Sequence, residues 1–221
     1  MRWLIEDDVL QPFLQPEMES EETSIVLLVI RDHFDQLVGR EKTRFCKMPP
    51  SRAKEYSSGR YAAHLAQKAI GLRQIEILNK GRAPIWPEDH VGAITHDAKY
   101  AGAIVSTQLK GVGLDFERIG RIKPKLHEKL FTDFEQNWLS QQTRLEASTI
   151  MFSAKESVYK SVYPILKRFV GFQEVEISVD WTCATFDVQY IADDMTEISK
   201  YDTKGFWSVS GDHVLTIVEV R

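Results

Sequence analysis

The run Gly111-Val112-Gly113-Leu114-Asp115-Phe116-Glu117 alternates with a period of two. It reads as a β-strand with Val112, Leu114 and Phe116 on one face and both carboxylates on the other. Asp115 and Glu117 would then stand about 6 to 7 Å apart along the strand, near enough to share a cation that relieves their mutual repulsion. Hard oxygen donors of this kind suit magnesium or manganese. A half-buried strand that shows its polar face to water carries the same D-x-E pattern, so both readings stand at this point.

Further along comes Phe152-Ser153-Ala154-Lys155-Glu156-Ser157-Val158-Tyr159-Lys160, in a segment of helical pattern. Ser153 and Glu156 have the S-x-x-E spacing of a capping box, which would make Glu156 a helix-start residue. Glu156 and Lys160 also have the spacing of a surface ion pair. The functional alternative groups Lys155, Glu156 and Lys160 at one end of the helix, a third carboxylate beside two ammonium groups suited to phosphate. The apolar Met151, Phe152, Val158 and Val162 argue for a packed segment.

Outward from these two runs the chain alternates strands and helices. Upstream, Ile25 to Ile30 reads as a buried strand. Residues 51 to 69 read as an amphipathic helix carrying Arg52, Lys54, Arg60 and His64, with Tyr61, Leu65, Ala66 and Ala69 at helical spacing and Gly71 ending it. A strand over 73–78 follows. Gly, Pro and basic residues then concentrate over 79–87, marking an ordered loop, and strands follow at 91–95 and 101–106. Downstream, helical pattern covers 125–142 and 146–163, where Pro164 should end or kink the helix. Four strands fall near 175, 185, 206 and 215. The order predicts an α+β fold of two similar lobes, residues 1–108 and 109–221.

The chain has 221 residues, of which 43% are hydrophobic, enough to bury a substantial core. A net charge of -4 provides no basic field, which argues against a nucleic-acid scaffold. Cys46 and Cys183 stand far apart, so neither a disulfide framework nor a zinc site is indicated, and a reducing cytoplasm fits. Met1, Arg2 and Trp3 followed by Glu6, Asp7 and Asp8 is the wrong pattern for a secretory signal. The longest apolar run, Ile25 to Ile30, is too short to span a bilayer.

Together, Gly113-Leu-Asp115-Phe-Glu117 and Phe152-Ser-Ala-Lys155-Glu156-Ser-Val-Tyr-Lys160 resemble the paired signature of Sfp-type 4'-phosphopantetheinyl transferases. Gly59-Arg60 with Ala63, Gly81-Arg82-Ala-Pro84-Ile-Trp86-Pro87 and Ile94-Thr95-His96 add matches in the same order. The R-x-P-x-W-P loop and the F-S-A-K-E-S run are similar to the enterobactin synthase component D subgroup. The resemblance covers about residues 50 to 165. Thr95 stands where a serine is commoner and Phe152 where many members have tryptophan; neither departure removes a ligand.

The resemblance implies a pseudo-duplicated transferase fold with the active site where the two lobes meet. The implied reaction moves the phosphopantetheine arm of coenzyme A to a serine of apo peptidyl, aryl or acyl carrier domains, in siderophore biosynthesis, releasing adenosine 3',5'-bisphosphate. Asp115, Glu117 and Glu156 would hold magnesium, or manganese, against the diphosphate, with Glu156 also deprotonating the carrier serine directly or through water. Lys160 would steady the leaving nucleotide. Lys155 and His96 would contact phosphates of coenzyme A, Arg52 and Arg60 its 3'-phosphate and adenine end, and Thr95 would stand beside them. The loop Lys80, Gly81, Arg82, Ala83 and Pro84 would flank the nucleotide. Such a chain would work as a cytoplasmic monomer without nucleic acid. Arg118, Arg121, Lys123 and Lys125 read as a solvated charge run, the alternative being a patch for an acidic carrier helix. The same acidic cluster would also serve another magnesium-dependent phosphodiesterase or a noncatalytic nucleotide-binding module.

Overall fold

The computed structural model describes residues 2–5, 22–81 and 83–221; Met1, Glu6, Asp7 and Asp8, read above for a targeting signal, lie outside them. The described residues form two compact units, 2–5 with 22–109, and 110–221.

In the first unit, β1 (Arg2–Ile5) lies parallel to β2 (Thr23–Val29). After a short helix α1 (Arg40–Phe45) and a long one, α2 (Pro50–Ala69), come a two-residue ladder, β3 (Asn79–Lys80) with β4 (Ala83–Pro84), and the strands β5 (Val91–His96) and β6 (Tyr100–Ser106). The sheet order is β1-β2-β6-β5. Pro50 occupies the first helical turn of α2, where its missing N–H has no partner to lose. Ala62, Ala63 and Ala66 are the residues of α2 packed against Val26, Leu28, Ala101, Ala103 and Val105 of the sheet. Tyr61 and Leu65 pack against this contact and are only partly buried, so the stripe keeps Ala66 of the predicted face and is centred on Ala62 and Ala63.

Residues 73–78 do not form the predicted strand. Side chains take the backbone groups a ladder would use: Glu41 Oε1 accepts from Ile77 N at 2.7 Å, and Arg60 Nε donates to Ile77 O at 2.7 Å. Arg40 is bonded to Glu76 through its backbone N–H (2.8 Å) and its guanidinium (2.6 Å). A side chain that satisfies a buried backbone group competes directly with strand pairing.

The second unit opens with β7 (Gly111–Arg118), then the helices α3 (His127–Leu130), α4 (Asp133–Ser140) and α5 (Ala147–Leu166). Strands β8 (Val175–Asp180), β9 (Thr185–Tyr190), β10 (Thr203–Ser210) and β11 (His213–Val220) complete an antiparallel sheet of order β7-β11-β10-β9-β8. Each unit thus pairs one 20-residue helix with a sheet, consistent with the predicted α+β class. No described helix is long and apolar enough to cross a membrane.

The predicted helix over 125–142 is broken in two. Phe131 is extended, and Thr132 caps α4 in a capping box with Glu135. The S-x-x-E spacing at Ser153 and Glu156, by contrast, lies inside α5, whose N-cap is Glu146. Helix α5 also runs two residues beyond Pro164 before Lys167 closes it in a left-handed conformation.

Glu135 does more than cap. Its Oε2 accepts from Thr132 N at 2.8 Å and from Lys155 Nζ at 2.6 Å, while Oε1 accepts from Ile177 N at 2.8 Å. Lys155 Nζ also donates to Phe172 O and to Val175 O. Both side chains are essentially buried. Burial pushes the Glu135 carboxyl up and the Lys155 ammonium down, and their ion pair opposes both shifts. The pair therefore ties α4, α5 and β8 together at a site where a lone charge would be expensive.

Lys155→Met is expected to lose about 3–5 kcal/mol of unfolding free energy by stranding Glu135. The deficit should shrink as pH falls. A buried carboxyl with a raised folded pKa holds its proton where the unfolded chain has lost it, so stability declines as pH rises from the ordinary glutamate range. Urea unfolding of both proteins at pH 5 and pH 8 checks this; equal deficits at the two pH values would contradict it.

Candidate active site

In the second unit, β7 is buried on both faces as far as Glu117, so its carboxylates do not face water. They face α5. A Cβ built on Gly113 would lie 1.8 Å from Ser157 O, and one on Gly111 would lie 2.1 Å from Ser161 O. Strand and helix backbones approach closely only because these two residues have no side chain, and that approach brings Ser153, Glu156 and Lys160 of α5 over the strand.

Asp115 is 4% exposed. Its Oδ2 accepts from Ser153 Oγ at 2.9 Å and its Oδ1 from Lys160 Nζ at 2.6 Å, with Lys160 also donating to Leu114 O at 3.0 Å. Behind this pair is Thr216, the β11 residue directly opposite Asp115. Thr216 Oγ1 lies 2.9 Å from Ser153 Oγ and 2.7 Å from Ser157 Oγ. Each hydroxyl has a single proton. With Asp115 ionised, the bonds run from Ser157 to Thr216, from Thr216 to Ser153, and from Ser153 to Asp115.

Glu117 is 6% exposed, and both of its oxygens accept from Arg121 Nη1 at 2.6 Å. Its carboxyl is pushed up to about 7, first by burial and then by the charge of Asp115, against the pull of Arg121 and Lys160. Glu156 is pushed up for the same two reasons, burial and Asp115, with Lys160 and Arg121 opposing. Two carboxyls that both respond to Asp115 form one electrostatic site with it.

Among the described residues no group of three or more His, Cys, Asp or Glu side chains is arranged to hold a metal ion. The charges of Lys160 and Arg121 neutralise the carboxylates instead. The donors are all hard oxygens and the excess charge is negative, which suits a divalent cation once those two side chains turn away.

The predicted residues are sorted by this geometry. Lys160 reaches Asp115 rather than forming the surface pair with Glu156. Lys155, expected at phosphate, is turned inward with its ammonium bonded to three protein oxygens, so that expectation is corrected: a three-donor ammonium has no N–H left for a ligand. In the first unit Arg60, also expected at the nucleotide, is 4% exposed. It bonds Ile77 O and, through Nη2, Asn79 Oδ1 at 2.6 Å, which makes it a brace for the β3–β4 loop rather than an open phosphate ligand. Arg52 and His96 do meet: Arg52 Nη1 lies 2.9 Å from His96 Nε2 and donates to Glu55 Oε2 at 2.9 Å. Thr95 is buried next to them on β5. Lys80, Gly81, Ala83 and Pro84 make up the small ladder and its turn, where Gly81 has φ +62; Arg82 lies outside the described residues.

Sequence reasoning missed four residues. Ser153 was hidden by the capping-box pattern, and Thr216 and Glu41 sit in ordinary-looking segments. Arg121, read as a solvated charge, chelates Glu117; its signal was a cation four residues after a carboxylate, which outside a helix has no fixed meaning.

Residues 40–106 match the 4'-phosphopantetheinyl transferase N-terminal domain and residues 111–218 the 4'-phosphopantetheinyl transferase superfamily. The chain is 27% identical over 195 residues to 4'-phosphopantetheinyl transferase Npt of Nocardia iowensis, covering 80% of this chain and 86% of that one. It is 31% identical over 180 residues to 4'-phosphopantetheinyl transferase PptT of Mycobacterium tuberculosis, covering 76% and 78%. Enterobactin synthase component D of Salmonella typhi is 28% identical over 172 residues, covering 76% and 71%. Both units thus match phosphopantetheinyl transferase models, which makes the chain a transferase. More particularly, the chain belongs to the 4'-phosphopantetheinyl transferase superfamily.

Proposed function

We propose that this protein transfers the phosphopantetheine arm of coenzyme A to the serine hydroxyl of a carrier-protein domain, using magnesium, with manganese as a substitute. The observation that carries this reading is the grouping of the buried Asp115 and Glu117 with the partly buried Glu156 and Lys160, Lys160 bonded to Asp115 at 2.6 Å. Asp115, Glu117 and Glu156 would hold the cation, which when bound supplies neutralisation of charge on the diphosphate. Glu156, its carboxyl raised by burial and by the charge of Asp115 against the pull of Lys160 and Arg121, would accept the serine proton directly or through water. The serine oxygen forms its bond to the β-phosphorus as the bond to the α-phosphate oxygen breaks. Lys160 would meet the charge that grows on that departing oxygen, and adenosine 3',5'-bisphosphate leaves.

In the first unit, the Arg52 guanidinium, which can only donate to His96 Nε2 at 2.9 Å, would turn to the 3'-phosphate, with His96 at a phosphate of coenzyme A and the Lys80–Pro84 turn, braced by Arg60, along the nucleotide. The similarity to enterobactin synthase component D supports carrier domains of siderophore synthesis as acceptors. Two exposed cysteines without a disulfide suit a cytoplasmic protein, and we assign it a monomeric working state.

The test is intact-mass spectrometry of an apo peptidyl carrier domain incubated with the protein, coenzyme A and magnesium, with a chelator control. A gain of one phosphopantetheine mass that requires the metal is the expected result. Cleavage of coenzyme A with no gain on any competent carrier would replace transfer by phosphodiester hydrolysis.

A further inference from the structure

We propose that Arg121 is a built-in counter-cation that competes with the divalent metal for Glu117 and so sets the affinity of the site. The inference rests on the reading of Asp115, Glu117 and Glu156 as the metal-holding carboxylates.

Arg121 is held at its post by the turn that follows β7. Its backbone N–H returns to Arg118 O at 3.2 Å, and Gly120, at φ +80, donates its N–H to Thr149 Oγ1 on α5 at 3.4 Å. The turn sends the guanidinium back over the end of the strand. One nitrogen, Nη1, then lies 2.6 Å from both oxygens of Glu117. Each carboxylate oxygen has two lone pairs, and the two bonds take the one on each oxygen that faces Arg121, so a metal approaching from that side must displace the guanidinium.

The two partners differ in freedom. The Glu117 side chain is 8% exposed and Arg121 is 59% exposed. Arg121 lies on the solvent side of the pair, whereas Glu117 is fixed on a strand buried as far as that residue. Arginine also stays protonated throughout the working pH range, so metal can displace it only by mass action. A partly exposed ion pair favours its closed form over the open one by a ratio between about one and five. The apparent dissociation constant of the metal rises by one plus that ratio, about two- to sixfold. The cost keeps the carboxylates from standing uncompensated when no metal is bound.

Titration of the full chain with Mn2+ alone, following free Mn2+ by electron paramagnetic resonance at fixed ionic strength and at a pH high enough to keep Glu117 ionised in every variant, tests this. Arg121→Gln is expected to bind Mn2+ about two- to sixfold more tightly than the wild type, and Arg121→Lys to fall between them. Arg118→Gln is the control: it removes the same charge three residues away, from a surface pair with Asp212, and should bind as the wild type does. An unchanged or weaker Arg121→Gln, or an equal gain in Arg118→Gln, overturns the proposal while leaving the metal site in place. A wild-type protein that binds no Mn2+ overturns both.

Discussion

Asp115→Asn lowers phosphopantetheine transfer by about two to three orders of magnitude and leaves the folded structure in place. The amide has nearly the shape of the carboxylate, and its oxygen can still accept the Ser153 hydroxyl, so the Ser157–Thr216–Ser153 chain has an end point. What disappears is the charge. Lys160 Nζ now sits 2.6 Å from Oδ1, and with an amide there it loses its ionic partner. It is about one-fifth exposed and can turn to water, so the variant need not unfold. The charge of Asp115 also raises both Glu117 and Glu156; neutralising it should let both titrate at lower pH, weakening Glu156 as a base. Initial rates on a carrier domain, with circular dichroism as the check on folding, measure the effect. A folded variant within tenfold of the wild-type rate would remove Asp115 from the mechanism.

Gly113→Ala removes the close approach on which the whole site stands. The added methyl group would lie 1.8 Å from Ser157 O, and the obstacle is helix backbone, which cannot rotate away as a side chain can. Nor can α5 lift easily, since Ser157 and Ser153 are bonded to Thr216, and Met151, Ala154 and Val158 lie in the core of the unit. We expect a loss of about 3 kcal/mol or more, seen as a fall of about 6–12 °C in the unfolding temperature, with transfer reduced in whatever remains folded because Glu156 and Lys160 move with the helix. Gly120→Ala is the useful comparison. Its φ of +80 makes alanine strained, but nothing lies within 4 Å of the added carbon, so it should cost about 1–2 kcal/mol. Equal stability of Gly113→Ala and the wild type would mean that helix and strand are not packed as described.

The helices α2 and α5 and the strands from β5 onward were legible in the residues themselves, and the pairing of the two signature runs through the family resemblance. Apolar spacing is a local property, and so is the order of carboxylates and lysines within a run. Such patterns record which face of an element is apolar and which chemistry it carries. They do not record what covers the other face. The polar side of β7 could have met water; only the packing of α5 on Gly111 and Gly113 buried it and turned two carboxylates into a coupled site. The S-x-x-E spacing at Ser153 and Glu156 is not a cap because its helix has already begun after Glu146, whereas Thr132 and Glu135, a pair not read from the sequence, cap the start of α4.

Long cationic side chains were the least legible. Lys155, Arg60 and Arg121 each looked like a ligand or a surface charge, and each found a partner distant in sequence or across a turn: Glu135, Ile77 with Asn79, and Glu117. A buried charge must be paired, and the nearest compensating group is set by tertiary contact, not by spacing. The sequence by itself determined the α+β class, the transferase signature and the acidic and basic groups available to the reaction. Only the tertiary structure decided which of those groups face one another, because burial and pairing depend on which distant elements the fold brings within a few ångströms.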